Sequence, residues 1–458
     1  MLPPHFNLLF IYFTYCIFRP GYGAKTNNTL ELVQMMYRHG DRAPINLYPN
    51  DPHNDSSLWP NGLAQLTKQG KERQYALGRW LRNRYKDFIN DKWIPEEVYI
   101  RSTDVDRTLM SATCNLAAFY RPDDPKSFFI NDLAWLPTPI HTAPPESDEL
   151  LLVDESCPRI KAEMAKQENS PAVKNVTNHN QDLFKYLSKM SGDNVTTILN
   201  VDYLYDTLYI ESRNNLTLPN WTHDVLPRMK ALSDFSFELV AKSKELKRLR
   251  AGPIIKEMRD HMNQKAAGNL TKQKMYMYSA HDTTLSILLL GLGVFNNLAP
   301  PYATTVLVEL HKMDEQYYVK MFLRNDTNMI EPPHELILPG CSTVCPLDRW
   351  NTLVNAIIPH DWKRECGVSE PFKLSTGALA GVDNAANTSV NDDTVYTHVL
   401  GNKPAGIYQD SLTRQGNARI YLFYFIFCVW RMYQCLQMGV GVLLYLYHVN
   451  TGSPRVTT

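Results

Sequence analysis

Neither sign of charge predominates in this 458-residue chain, in which Lys and Arg number 47 and Asp and Glu 47. Without a basic surplus, composition gives no support for nucleic acid or an anionic membrane surface as partner, and any anion binding has to come from locally clustered arginine. Cysteine is sparse too, eight in all. Cys16 falls in a leader-like stretch and Cys428 and Cys435 in an apolar tail, which leaves Cys114, Cys157, Cys341, Cys345 and Cys366 in the body. That odd number allows two bridges and one thiol in an oxidising compartment, and Cys114, on an apolar helical stretch, is the natural leftover. Cys341 and Cys345 could also be half a zinc site, but no second Cys or His pair at ligand spacing accompanies them. Internal repeats are absent, and 44% hydrophobic with 21% charged residues is globular composition.

The two ends differ from the middle. Leu8 to Phe18 is apolar but too short to span a membrane, lacks a Lys or Arg before it, and leads into Gly21-Tyr22-Gly23-Ala24. Residues 1–23 read as a secretory signal. Nine Asn-x-Ser/Thr sequons, at Asn27, Asn54, Asn175, Asn194, Asn215, Asn220, Asn269, Asn325 and Asn387, point to the same route. Residues 371–418 have the small, polar composition of a tether. Ile420 to Trp430 and Met438 to Tyr447 are apolar, interrupted by Arg431, Gln434 and Gln437. The expectation is one membrane anchor over 419–447 and a polar tail over 448–458.

Chemistry concentrates at Met35-Met36-Tyr37-Arg38-His39-Gly40-Asp41-Arg42-Ala43-Pro44, where an apolar run stops at a histidine between two arginines. Leu30 to Tyr37 reads as a mostly buried strand, and Gly40 and Pro44 as the turn that ends it. His39 then stands at the strand's carboxyl end, where α/β sheets bind ligands. Guanidinium forks suit phosphate or carboxylate oxygens, so Arg38 and Arg42 describe an anion pocket around the imidazole. The same grammar of strand, polar knot and helix recurs at Lys274 to Ser279, Ala280-His281-Asp282 and Thr283 to Leu290, with Gly291 closing the helix. A third landmark is Arg101-Ser102-Thr103-Asp104-Val105-Asp106-Arg107-Thr108, where Thr103 and Asp106 have capping-box spacing for a helix through Tyr120. Spacing alone makes Arg107 a surface partner of an Asp.

Other segments read more simply. A helix over Lys68 to Phe88 is capped by Thr67, with Ala76, Leu77, Trp80 and Leu81 as its stripe and Lys71, Arg73, Arg79, Arg82 and Arg84 as a solvated face. The polar loop Asp51 to Gly62 is a candidate wall of the site. From Cys157 to about Met262 helical periodicity dominates, and Lys230 to Arg250 reads as one amphipathic run with a solvated basic cluster. Thr304 to Leu310 and Tyr317 to Leu323 suggest a hairpin at a sheet edge.

With these three motifs in this order, the chain resembles the histidine acid phosphatases, in particular their lysosomal and prostatic branch, over about Leu30 to Cys366. The resemblance implies an α/β fold of phosphoglycerate mutase-like type, with a mostly parallel central sheet flanked by helices and a smaller inserted helical cap. The layout is then an α/β domain over 24–156 and 263–370 with the cap at 157–262. It further implies an acid phosphatase that forms a phosphohistidine on His39, with Asp282 as proton donor and Arg38, Arg42, Arg107 and His281 on the phosphate. No metal or cofactor is called for, because guanidinium groups do the electrostatic work. Disulfides Cys157–Cys366 and Cys341–Cys345 are implied as well. A third family bridge is absent, since Ile210 and Thr305 stand in its place. Related enzymes use the segment around Trp135 and His141 in a dimer contact, so a homodimer is an expectation. Small phosphate monoesters or phosphoproteins are the expected substrates, and a lysosomal, cell-surface or extracellular destination on the secretory pathway is the expected place. The competing readings are an idle membrane glycoprotein that only binds, and a phosphotransferase to an alcohol.

Overall fold

The computed structural model describes residues 29–368. The leader at 1–23, the sequons at Asn27 and Asn387, the tether, the anchor and the tail lie outside them. Among the described residues no helix is long and apolar enough to cross a membrane.

Strand β1 (Leu30–Arg38) is buried from Leu32 onward, as suits a largely apolar central strand, and Gln34 within it is satisfied by donating to Met258 O at 2.8 Å. Helix α1 (Lys68–Tyr85) starts at Thr67, whose hydroxyl accepts from the Gly70 amide as expected. Strand β2 (Val98–Ser102) and helix α2 (Asp106–Phe119) follow. The chain then stays helical through α3 (Pro158–Glu168), α4 (Pro171–His179), α5 (Gln181–Ser191), α6 (Ile198–Arg213), α7 (Leu226–Leu239) and α8 (Gly252–Ala266). It returns to the sheet as β3 (Met275–Ala280), α9 (Asp282–Leu292), β4 (Thr305–Met313), β5 (Gln316–Arg324), β6 (His334–Leu336), β7 (Cys345–Pro346) and α10 (Leu347–Val354).

The sheet order is β2-β3-β1-β4-β5-β6, with β7 also on β5. Only the half that carries the three motifs is parallel, β2 on β3 and β3 on β1; β4 to β7 add antiparallel pairings. The sheet is therefore mixed. The cause is local, because β4 and β5 are joined by the two residues Asp314 and Glu315, both at positive φ, and so short a link joins only antiparallel strands. The hairpin is also not the sheet edge, which the short β6 and β7 cover.

One face of the sheet packs Val33, Met35, Tyr37, Ile100 and Met277 against Leu77 and Leu81 of α1 and Leu116 and Phe119 of α2. The other packs Leu32, Met36, Tyr278 and Val308 against Ile255 and Met258 of α8, Leu285 and Leu288 of α9 and Trp350 of α10. The hydrophobic residues of 157–262 divide between two cores. Ile160, Leu249 and Met262 join the sheet's second face, whereas Leu183, Leu187, Val201, Leu208, Met229 and Leu232 form a core of their own.

Lys230 to Arg250 is not one amphipathic run. Helix α7 ends at Leu239, and a short turn Lys244–Leu246 leads into a π-helical segment Lys247–Ala251. Its Arg248 and Arg250 are not a solvated face either, since they pair with Glu365 and Asp154. On α1, Arg73 likewise pairs with Asp41 and Arg84 with Glu309. Both bridges form, Cys157–Cys366 and Cys341–Cys345, and Cys114 is free.

Candidate active site

Parallel register brings the three motifs to one level. Arg38 lies beside Ala280 and Ser102 beside Ser279, so the next residues, His39, His281 and Thr103, leave the sheet together. Their backbones are tied there by His39 N–H to Ala280 O at 3.0 Å and Thr103 N–H to Ser279 O at 3.1 Å. Gly40 serves close approach, because a Cβ there would run into the Gly70 carbonyl at the start of α1.

Arg38, His39, Arg42, Arg107, His281 and Asp282 all line one cleft of about 590 Å³. The rings of His39 and His281 stand edge to face with centroids 5.6 Å apart. Arg38 reaches Asp282 Oδ2 at 2.6 Å and lies over the Tyr302 ring at 4.1 Å, while Arg42 reaches Asp206 Oδ2 at 2.8 Å. The Nε atoms of Arg38, Arg42 and Arg107 are buried and find no partner among the described residues. Three guanidinium groups lining one cleft around one imidazole concentrate positive charge there, which an anion entering the cleft offsets.

The histidines are neutral. Burial, then the charges of Arg38, His281, Arg107 and Arg42, hold the His39 pKa well below its ordinary value. Its Nδ1 lies 2.8 Å from the Gly40 carbonyl, which only accepts, so Nδ1 carries the proton and Nε2 keeps its lone pair. Burial and Arg107 push His281 down to about 3, and burial among the other arginines lowers Arg107 to about 10. For Asp282, burial acts upward, but Arg38, Arg42, His281 and the Thr283 amide outweigh it and hold the carboxyl below its usual range. In the free cleft Asp282 is thus an anion paired with Arg38.

Several residues around the cleft escape the sequence. Thr103 does not cap α2, whose N-cap Val105 has no side-chain bond; its hydroxyl turns instead to His281 Nε2 at 3.0 Å. Asp206 and Asp202 come from α6, and burial pushes Asp202 up to about 7. Only their distance along the chain hides them. Asp51 to Gly62 does not wall the cleft; Trp59, Pro60 and Gly62 line a separate hollow, and Ile45 takes the rim. His141 stacks on Tyr99 at 4.8 Å, outside the cleft lining.

Comparison with known proteins agrees with this architecture. Residues 29–324 match the profile of the histidine phosphatase superfamily, branch 2. Human prostatic acid phosphatase is 42% identical over 343 residues, covering 74% of this chain and 88% of that one. Lysosomal acid phosphatase of Xenopus laevis is 39% identical over 359 residues, 77% of this chain and 82% of that one. Among solved structures, the phytase of Citrobacter braakii superposes with a TM-score of 0.55 at 16% identity, covering 74% of this chain and all of the phytase, and so shares the fold. By the extent of these matches the chain belongs to branch 2 of the histidine phosphatase superfamily.

Proposed function

We propose that this chain, an acid phosphatase by kinship, hydrolyses phosphate monoesters in two in-line displacements through a phosphohistidine on His39. Nε2 of neutral His39 attacks phosphorus while the ester P–O bond breaks. The leaving oxygen takes its proton from Asp282. Water then attacks the phosphohistidine, gives a proton to the Asp282 carboxylate, and the P–N bond breaks to restore neutral His39. Arg38, Arg42, Arg107 and His281 hold the nonbridging oxygens and stabilise the charge that shifts onto them. The observation that carries this reading is the meeting of Arg38, Arg42, Arg107, His281 and Asp282 with His39 in one cleft, the His39 proton being held on Nδ1 by the Gly40 carbonyl so that Nε2 keeps its lone pair.

Asp282 must be protonated to act first, yet its pKa is depressed in the free cleft. A substrate dianion competes with it for Arg38 and repels its charge, both of which raise its pKa. Acid pH supplies the rest, so the reading entails an acid optimum. The test is brief incubation with a labelled phosphate monoester followed by alkaline quench, which spares phosphohistidine. Label is expected on the native chain and none on His39→Ala; label on another residue overturns the assignment.

Partner and place follow the relatives. Two disulfides and relatives named lysosomal and prostatic support a secretory-route protein; the proposal of a membrane anchor over 419–447 rests on the apolar sequence alone. A homodimer through the segment around Trp135 and His141 is supported by Phe129, Ile130 and Leu133, which are 50%, 56% and 40% exposed beside Trp135. Sedimentation of Trp135→Glu against the parent separates dimer from monomer.

A further inference from the structure

His281 is held at both ring nitrogens. Its Nδ1 lies 3.3 Å from Arg107 Nη2 and its Nε2 lies 3.0 Å from Thr103 Oγ1. A guanidinium can only donate, so Nδ1 presents its lone pair and the ring proton sits on Nε2. Thr103 Oγ1 in turn lies 2.7 Å from Thr108 Oγ1, which faces two carbonyls, Val105 O at 2.7 Å and Thr103 O at 3.0 Å. Carbonyls only accept, so the Thr108 hydroxyl points its hydrogen at them and receives that of Thr103. Every hydrogen is thereby placed. The line runs from His281 Nε2–H to Thr103 to Thr108 and ends on the backbone, and both threonine side chains are fully buried.

This direction matters once phosphate arrives. A phosphate oxygen engaging Arg107 faces His281 Nδ1, and a lone pair against an anionic oxygen repels. A proton taken from solvent onto Nδ1 converts the repulsion into a charge-assisted hydrogen bond while Nε2–H stays on Thr103. The charged groups around the ring are Arg107 from α2, Arg38 at the end of β1, Arg42 in the loop after it, and Asp282 beside it, with neutral His39 opposite. In the free cleft burial and then the three arginines oppose a second proton on His281, and the incoming dianion offsets the arginines.

We propose that Thr103 is a positioning residue. Its buried hydroxyl holds the His281 proton on Nε2, so that Nδ1 is the nitrogen that takes up a proton when the substrate dianion binds. The inference rests on the phosphate-binding role proposed for His281. It makes substrate binding proton-linked, separately from the proton donor.

The test uses the whole protein labelled with 15N-histidine, the His281 signals being identified by their loss in His281→Asn. In the free protein the spectrum is expected to show His281 protonated at Nε2 alone, and with inorganic phosphate bound, protonated at both nitrogens. Thr103→Val is expected to raise KM about tenfold with a smaller change in kcat, and to move the pH dependence of KM toward acid. Thr103→Ser, which keeps the hydroxyl, is expected to restore both. A free native protein with His281 protonated at Nδ1 overturns the proposal even if Thr103→Val does not fold. So does a folded Thr103→Val whose KM–pH profile superimposes on the parent. Failure of the phosphohistidine reading appears elsewhere, as missing label on His39 in the native chain.

Discussion

At the scale of single residues, the proposed reaction asks two things of one pH, an unprotonated His39 and a protonated Asp282. Burial and surrounding arginines secure the first down to low pH. The same arginines work against the second, because they depress Asp282. The leaving group decides how much that costs. Asp282→Asn is expected to lower kcat/KM for an alkyl phosphate by about 10²–10⁴ and for p-nitrophenyl phosphate far less, since nitrophenolate leaves without a proton. Equal losses on both substrates would remove the donor role from Asp282. His39, Arg38, Arg42, His281 and Asp282 are legible in the sequence because each adjoins a strand end, and register does the assembling. Thr103 is misread as a cap because its true partner, His281, is 178 positions away. Asp206, 164 positions from Arg42, has no local signal at all.

Elements are legible where a local rule governs them and misread where a distant charge does. Thr67 caps α1 as its spacing predicts. The arginines of α1 and of the π-helical turn look solvated in sequence, but Arg73 and Arg248 have partners 32 and 117 positions away. The contact between α6 and the loop before α1 is of this hidden kind. Glu211 of α6 is fully buried near Asp51 and Tyr48, and no donor among the described residues reaches its carboxyl oxygens. Burial and the neighbouring Asp51 push Glu211 up to about 8. The folded state therefore keeps a proton that the unfolded chain releases near pH 4.5. Its stabilising effect is complete below that value and is lost as pH rises through about 8. Thermal unfolding is expected to show stability falling by on the order of 1–3 kcal/mol from pH 5 to pH 8. Glu211→Gln is expected to reduce that slope, Asp202 supplying the part that remains, and an unchanged slope would place the proton elsewhere.

Across the whole molecule, the described chain is closed on itself by one long-range bridge. Cys157, at the start of the helical stretch, is joined to Cys366, 209 positions away, whereas Cys341 and Cys345 are 4 apart. The neighbourhood of Cys366 is also fastened without covalent bonds, through Arg248 to Glu365 and Trp362 Nε1–H to Leu249 O at 2.8 Å. Loop-closure entropy grows with the enclosed length, so the long bridge restrains the unfolded chain far more than the short one. Both cysteines lie far in sequence from His39, and neither lines the cleft. Replacing Cys157 and Cys366 together by Ala is expected to cost about 2–5 kcal/mol in denaturant unfolding while leaving KM and kcat at 25 °C within about twofold. Replacing Cys341 and Cys345 together is expected to cost less than half as much. A large fall in kcat in the first double variant, at a temperature where it stays folded, would mean that the bridge holds the helical stretch in place over the cleft as well as stabilising the fold.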